Sequence, residues 1–266
     1  SEARVVRLRT TEEGRVRGVD YDIAGPGVTT ATAPVVIANA APHAVCGMLP
    51  ETLRAGFMEP YADRPLSLSL FEIQFGLTRP GRDLGITSYS TVLLPEWMES
   101  LADYAAAGEV LGSFPNDRLP PVIVVDYGQI DSGLDTGAGA PVSVTGVDRL
   151  ENWATLSEED YAARRAAWID AITARLDAEW PGFADSVDEA HMSTARTFHQ
   201  RLGTPGGAVY GFAPEVPEIA FSAPQPTPRT AVPGLFLASA WTGFGGYTGA
   251  MGGGAMAARI ALRTLG

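Results

Sequence analysis

The chain has 266 residues, of which 45% are hydrophobic and 19% charged, an ordinary composition for one large or two small globular domains. A formal net charge of −12 excludes the basic face that a nucleic-acid groove needs and gives no support to a patch for anionic lipid. The single cysteine, Cys46, cannot form an internal disulfide, and there is neither an apolar run of membrane-spanning length nor a signal-peptide pattern. The expected location is therefore cytoplasmic, or peripheral to a membrane.

Residues 3–8 alternate polar and apolar, Glu12-Glu13-Gly14 turn, and residues 16–21 alternate again, which predicts a hairpin with one wet face. Residues 32–40 read as one continuous strand of the buried, parallel-sheet type, ended by Ala41-Pro42. Short helices are expected at 43–49 and 51–61. Apolar residues then fall on even numbers (Leu66, Leu68, Leu70) and afterwards on odd ones (Phe71, Ile73, Phe75, Leu77). This slip of phase predicts a β-bulge at Leu70-Phe71, with Glu72 and Gln74 on the second face of a half-wet strand.

The middle carries strands at 86–94, 121–127 and 142–148, a helix at 95–107, and a polar, glycine-rich loop at 128–140. Residues 155–160 offer two overlapping helix N-cap boxes. Tyr161, Trp168, Ile169, Ile172, Leu176 and Trp180 follow at helical spacing, and Pro181-Gly182 ends the helix. The opposite face is charged, as on an ordinary amphipathic surface helix. Residues 214–233 are proline-rich and read as an extended connector.

Near the end, residues 235–238 form an apolar run, a short strand buried on both faces. Seven glycines lie between Gly243 and Gly254, and strong helix formers follow at 255–262. A strand, a glycine-rich turn and a helix start together aim backbone N–H groups at an anion and let a flat ligand approach the main chain. A tightly packed Gly/Ala helix crossing another element is the alternative. Trp241, Tyr247 and Thr248 in the turn favour a ligand, since packing alone does not need them.

Other chemistry finds no support. The three histidines are scattered, no HExxH or CxxC spacing occurs, and no metal site is expected. There is no Gly-x-Ser-x-Gly elbow and no P-loop. The strand–GxGxxG–helix fingerprint is missing too, Gly243 to Thr248 being a near miss. Cys46 reads as a small core residue, and no single catalytic residue is assigned.

The residues 232–237 with Ser239, Thr242, Gly245, Gly249-Ala250 and Gly253 resemble the C-terminal flavin-binding segment of the phytoene desaturase / retinol saturase type of FAD-dependent oxidoreductase, in the flavin amine oxidase superfamily. Val5, Val6, Gly14-Arg15-Val16, Gly18-Val19, Val35-Val36 and Asn39-Ala40-Ala41-Pro42 are similar to that family's hairpin and strand, and residues 197–212 to its element beside the flavin. The resemblance covers nearly the whole chain, in the family's order. The sequence departs from it at Ser239, where the family usually has Gly, and at Gly243-Phe244, where it often has a His-Pro pair.

That resemblance implies an α/β fold, the C-terminal part of a two-domain, Rossmann-like FAD enzyme with a mixed-sheet substrate domain. Residues 1–42 would belong to the FAD domain, 43–212 to the substrate domain, and 213–266 to a connector and the last part of the FAD domain. FAD would be held by Val5, Val6, Asn39, Ala40, Ser239, Ala240, Trp241, Tyr247, Thr248, Gly249 and Ala250. Tyr210, Phe212, Trp241 and Phe244 would line the place of an apolar small-molecule substrate. The implied reaction moves a hydride between that substrate and flavin; amine or alcohol oxidation, and a catalytically silent scaffold, are the alternatives. The chain begins at Ser1 without methionine, and its parallel-type strands have too few companions for a covered sheet. The expected partner is therefore an N-terminal polypeptide carrying the GxGxxG half, so that a split enzyme forms a heterodimer.

Overall fold

The computed structural model describes residues 3–23, 27–134, 141–214, 226–243 and 245–266. Parts of the expected loop at 128–140 and of the connector at 214–233, and all of Phe244, lie outside the described residues. The elements are mixed α and β, as expected. They fall into two units, Ser1–Ser67 with Leu202–Gly266 and Leu68–Arg201. Both divisions fall inside the segment 43–212. The reason is packing: Val45, Leu49, Phe57, Tyr61, Ala208 and Phe212 share a core with Leu8, Val16, Leu235, Leu237 and Trp241.

The first unit begins with strands β1 (Ala3–Thr10), β2 (Val16–Ile23) and β3 (Val28–Thr32), which form an antiparallel sheet in that order. Asp20 joins all three strands, accepting from Arg9 Nη1 on β1 (3.1 Å) and from Thr30 Oγ1 on β3 (2.7 Å). The strand expected at 32–40 shrinks to β4 (Val36–Ala38), in another sheet; its first residue, Thr32, is the last of β3. Pro34 lies between them, and without an N–H it cannot continue a ladder. Nor is β4 buried on both faces, since Ile37 is 44% exposed. Helices α1 (Pro42–Met48) and α2 (Glu51–Met58) follow close to their expected places.

The second unit holds β5 (Ser69–Leu77), β6 (Ser90–Leu93), α3 (Tyr104–Ala107), β7 (Val122–Asp126), β8 (Pro141–Asp148), α4 (Glu158–Glu179), α5 (Phe183–Ser186), β9 (Val187–Ser193) and most of α6 (Ala195–Leu202). Its sheet has the order β6-β7-β8-β5-β9, and each pairing in it is antiparallel. The bulge expected at Leu70-Phe71 does not form. Register with β8 is unbroken from Ser69↔Asp148 to Gly76↔Pro141, and the irregularity is at Gly76/Leu77, facing β9. Leu66 belongs to the other unit, where it bridges Phe212, and Leu70 lies on β5 itself, half-buried on the face opposite Phe71, Ile73 and Phe75. Glu72 and Gln74 share a face and a hydrogen bond, and Ser143 Oγ donates to Glu72 at 2.8 Å.

The helix expected at 95–107 is a 3-10 turn at Leu101–Asp103 followed by α3, because Ser100 and Asp103 form a capping box that starts the helix late. Helix α4 forms as its sequence demands. Ser157 Oγ accepts from Asp160 N–H (3.1 Å), three acids occupy the first turn, and Trp168, Ile172 and Leu176 are buried at four-residue spacing. Phe71, Ile73, Phe75, Val142 and Val144 make up the rest of that core.

The chain then returns to the first unit with β10 (Leu235–Leu237) and α7 (Gly246–Leu265). β10 is buried throughout, as expected, and pairs in parallel with β4, Leu235↔Val36 to Leu237↔Ala38. Among the described residues no helix is long and apolar enough to cross a membrane.

Candidate functional site

Because β4 and β10 are parallel, the segments that follow them, residues 39–43 and 238–246, leave from the same edge of the pair. In parallel α/β sheets that carboxyl edge is where ligands bind. Ala238 N–H still bonds Ala38 C=O (2.9 Å), after which Ser239 turns sharply, with φ +85°. Among the described residues it is the one non-glycine with positive φ, and it stands where the flavoenzyme pattern has glycine. Its carbonyl accepts from Thr242 N–H (3.2 Å) and Thr242 Oγ1 (3.0 Å), which closes the turn.

An L-residue in the left-handed region costs about 1–2 kcal/mol, whereas glycine loses somewhat more chain entropy on folding. Ser239→Gly should therefore stabilise the fold by roughly 0.5 kcal/mol. A shift of the urea midpoint to higher concentration checks this. A shift the other way would mean that the long bond from Trp241 N–H to Ser239 Oγ (3.4 Å) outweighs the strain.

The glycines that the sequence places in a turn mostly belong to a helix. α7 starts at Gly246, not at Ala255, and Gly249, Gly253, Ala257 and Ala261 form its buried face. A Cβ on Gly253 would lie 2.5 Å from Thr242 Oγ1 and 2.6 Å from Ser239 O, so this glycine lets the helix lie on the turn. Packing of that face overrides the poor helix propensity of the stretch. Gly249 and Gly253 thus pack as in the alternative reading, a Gly/Ala helix crossing another element. The N-terminus of this 20-residue helix has no side-chain cap, and its first N–H groups, from Gly246 onward, have no partner within the helix.

Segment Tyr210-Gly211 lies against the same turn: a Cβ on Gly211 would lie 2.3 Å from Ala240 O, and the Tyr210 ring lies beside Gly246. Tyr247 is 90% exposed at the helix start, Thr248 is exposed, Gly249 is buried and Ala250 half-buried. Trp241 and Phe212 are core residues, their rings edge-on at 4.8 Å, and Phe212 stacks on Tyr61. Phe244 lies outside the described residues. Asn39 (exposed) and Ala40 (half-buried) follow β4 at the same edge. Val5 and Val6 are partly exposed on β1, where the ladder skips Val6.

His43 was not singled out as a site residue by the sequence. It follows β4 in the first turn of α1, its ring 6.1 Å from that of Trp241. Its Nδ1 is buried with no hydrogen-bond partner, and burial lowers its pKa. The available signal was its place just after a parallel strand, but three scattered histidines carry that signal weakly.

Among the described residues no group of His, Cys, Asp and Glu could hold a metal ion. The second unit has an open groove of about 620 Å³ bounded by Leu93, Trp97, Leu119, Arg175 and Glu179, and none of the expected site residues lines it. The strand-end arrangement offers backbone donors, a helix dipole and aromatic walls, which suit an anionic, flat ligand.

No protein-family profile matches the chain, and no curated protein sequence does. Among solved structures it is similar to an oxidoreductase from Methanosarcina mazei, at 13% identity and a TM-score of 0.51, over 98% of this chain and 49% of that one. It is similar also to a putrescine oxidase redesigned in its cofactor binding, at 15% identity and a TM-score of 0.50, over 99% of this chain and 48% of that one. A cyclohexylamine oxidase from Brevibacterium oxydans aligns at 17% identity with a TM-score of 0.47, over 98% and 48%. The chain therefore spans about half the length of these proteins, and what it shares with the first two is the fold of that half.

Proposed function

We propose that this chain is the flavin-closing half of an FAD-dependent oxidoreductase that moves a hydride between an apolar carbon substrate and its cofactor. The observation that carries the reading is the carboxyl edge of β4 and β10, where an uncapped helix start, a left-handed turn at Ser239 and the Tyr210 segment converge. These residues fit FAD: the free N–H groups at the start of α7 suit its negative charge, and the small residues there admit its flat ring. When bound, flavin supplies the redox chemistry.

The chain's own contribution is placement. Backbone donors from Gly246 onward and the exposed Thr248 would hold the cofactor, as would Ser239 and Ala240 in the turn and Asn39 and Ala40 after β4. Tyr210 and Tyr247 would wall the site, and Trp241 would keep its floor rigid through Phe212. An N-terminal polypeptide carrying the GxGxxG half would complete the cofactor domain. Amine oxidation is the second reading, favoured by the fold shared with a putrescine oxidase.

Thr248→Asp tests the site without damaging the fold. An acid in the first turn stabilises a helix by about 0.3–1 kcal/mol, yet it places negative charge where the cofactor's would lie. The variant should melt at or above the wild-type temperature, while flavin binding by the native assembly weakens at least about tenfold. Flavin absorbance and equilibrium dialysis read this directly. Full retention of flavin in a well-folded variant would remove the start of α7 from the site.

A further inference from the structure

The five-stranded sheet of the second unit ends in two strands of different character. β9 carries Asp188, Glu189 and His191, all exposed, and its pairing with β5 is irregular at Gly76/Leu77. Charge and irregularity of this kind keep a sheet edge from pairing with other chains. β6 has neither. Its residues are uncharged and its register with β7 is unbroken; Val92 is 59% exposed and Leu94, just beyond the strand, 60%.

The ladder fixes which backbone groups of β6 point outward. Asp126 N–H donates to Tyr89 O (2.9 Å), so Tyr89 and Asp126 are a hydrogen-bonded pair. By antiparallel alternation Thr91 with Val124 and Leu93 with Val122 are the next two. Ser90 and Val92 therefore turn their N–H and C=O away from β7, and among the described residues no strand pairs with them.

Beside that edge runs the groove of about 620 Å³, between residues 92–97 and the last turns of α4. Leu93 packs on the core that holds Trp168, Ile172 and Leu176 of α4, so the odd-numbered side chains of β6 face that helix. A strand added to β6 would drop every second side chain into the groove and set the others beside Val92 and Leu94. Trp97 is fixed in the groove wall, its Nε1 donating to Leu119 O (2.7 Å). Of the four charged side chains that line the groove, three are acids, the exposed Glu96, Asp117 and Glu179. The fourth, Arg175, is engaged: Nη1 donates to Pro120 O (2.6 Å), and Glu179 lies within reach of its charge. Arg118 is laid over the Trp97 ring, 4.0 Å from its centroid.

We infer that β6 and this groove take up an extended polypeptide segment by antiparallel strand addition, one in which Lys or Arg alternates with aliphatic residues. Ser90 and Val92 supply the main-chain hydrogen bonds, the three acids receive the basic side chains, and Val92 and Leu94 receive the aliphatic ones. A second copy of this chain fits worse. Pairing β6 with itself brings the same acids together across a twofold axis, on molecules of net charge −12. The surface lies in the unit that holds none of the residues assigned to the cofactor, and it does not rest on the flavin reading.

The test titrates a fluorescent peptide of about nine residues, alternating Lys and Val, into the whole chain and follows its anisotropy. The expected result is saturable binding with a Kd on the order of 10–100 μM, and amide exchange slowed several-fold at Ser90 and Val92 by NMR. The same peptide with Glu for Lys should bind at least about tenfold more weakly, and so should one N-methylated at its valine amides, which would face β6. Val92→Pro removes an N–H that β7 does not use, and it should weaken the Lys/Val peptide at least about fivefold with circular dichroism unchanged. Glu96→Lys with Asp117→Lys, both on exposed positions, should do the same through charge alone.

Absence of saturable binding, equal binding of the Glu or N-methylated peptide, or protection elsewhere than at Ser90 and Val92 would each overturn the inference. So would protection of those two amides without any peptide, whether a second copy or other chain covers them.

Discussion

Gly253→Ala should destabilise the β10–α7 region by about 2 kcal/mol, whereas Gly252→Ala, one residue earlier, should stabilise it by about 1 kcal/mol. Both glycines lie inside α7. A Cβ on Gly252 meets no atom within 4 Å, so alanine there simply gains the helix propensity that glycine lacks, about 0.8–1 kcal/mol. On Gly253 the same methyl would lie 2.5 Å from Thr242 Oγ1 and 2.6 Å from Ser239 O. The hydroxyl could rotate away. The carbonyl cannot, because it is main chain and is held by both the N–H and the hydroxyl of Thr242. Relief requires lifting the helix off the turn, and overpacking of this kind costs about 1–3 kcal/mol before the gain in propensity is counted; valine should cost more. Hydrogen exchange over peptides from β10 and α7 gives the local free energies. Stabilisation by both substitutions would show that the helix is held away from Ser239. The consequence reaches the proposed cofactor site, since lifting α7 displaces the N–H groups of its first turn.

How much of this was legible in the sequence depended on how local the cause was. The hairpin of β1 and β2, helix α4 with its Ser157 cap, and the buried run of β10 form where alternation, capping and apolar spacing place them. The misreadings arose where the outcome depends on what a segment packs against. The change of phase after Leu70 is not a bulge: β5 runs unbroken through it, with Leu70 half-buried on the strand's second face. The apolar run around Val35 and Val36 reads as a strand from residue 32 to 40, yet after Pro34 only Val36–Ala38 pair. The glycines before Ala255 read as a turn because propensity is a property of the isolated helix, while burial of Gly249 and Gly253 is a property of the assembled unit. At the site, Ser239, Ala240, Asn39 and the start of α7 come together at one sheet edge. The aromatic Trp241 instead supports that edge from within the core, a distinction that residue type cannot show. His43 was hidden because its significance depends on a neighbour almost 200 positions away along the chain, Trp241.

Stability of the second unit should fall by about 2 kcal/mol as the pH rises from 4 to 6.5, and Asp148 should be the cause. Its carboxylate is 1% exposed and accepts from Trp153 Nε1 (2.7 Å), Asn152 Nδ2 (2.8 Å), Arg149 N–H (2.8 Å) and Ala195 N–H (2.8 Å), tying the end of β8 to the start of α6. Those bonds pull its pKa down, but burial pushes harder, and the pKa is raised from 3.8 to about 6. Folding therefore takes up a proton between the two values. The favourable contribution is complete below about pH 4 and is lost as the pH rises through about 6, some two pKa units at 1.36 kcal/mol each. His43 acts in the opposite sense, its lowered pKa making stability fall as the pH falls from 6.5, but it lies in the other unit. Four of the five tryptophans, all but Trp241, lie in the Asp148 unit, so urea titration followed by tryptophan fluorescence reports mainly on it. Asp148→Asn should remove the slope between pH 4 and 6.5. Asp148→Ala should lower stability by about 4 kcal/mol, because it strands two buried donors, Trp153 Nε1 and Ala195 N–H, at about 1–3 kcal/mol each. If the slope survived in Asp148→Asn, the carboxyl would be shown to stay ionised throughout, its four hydrogen bonds outweighing its burial.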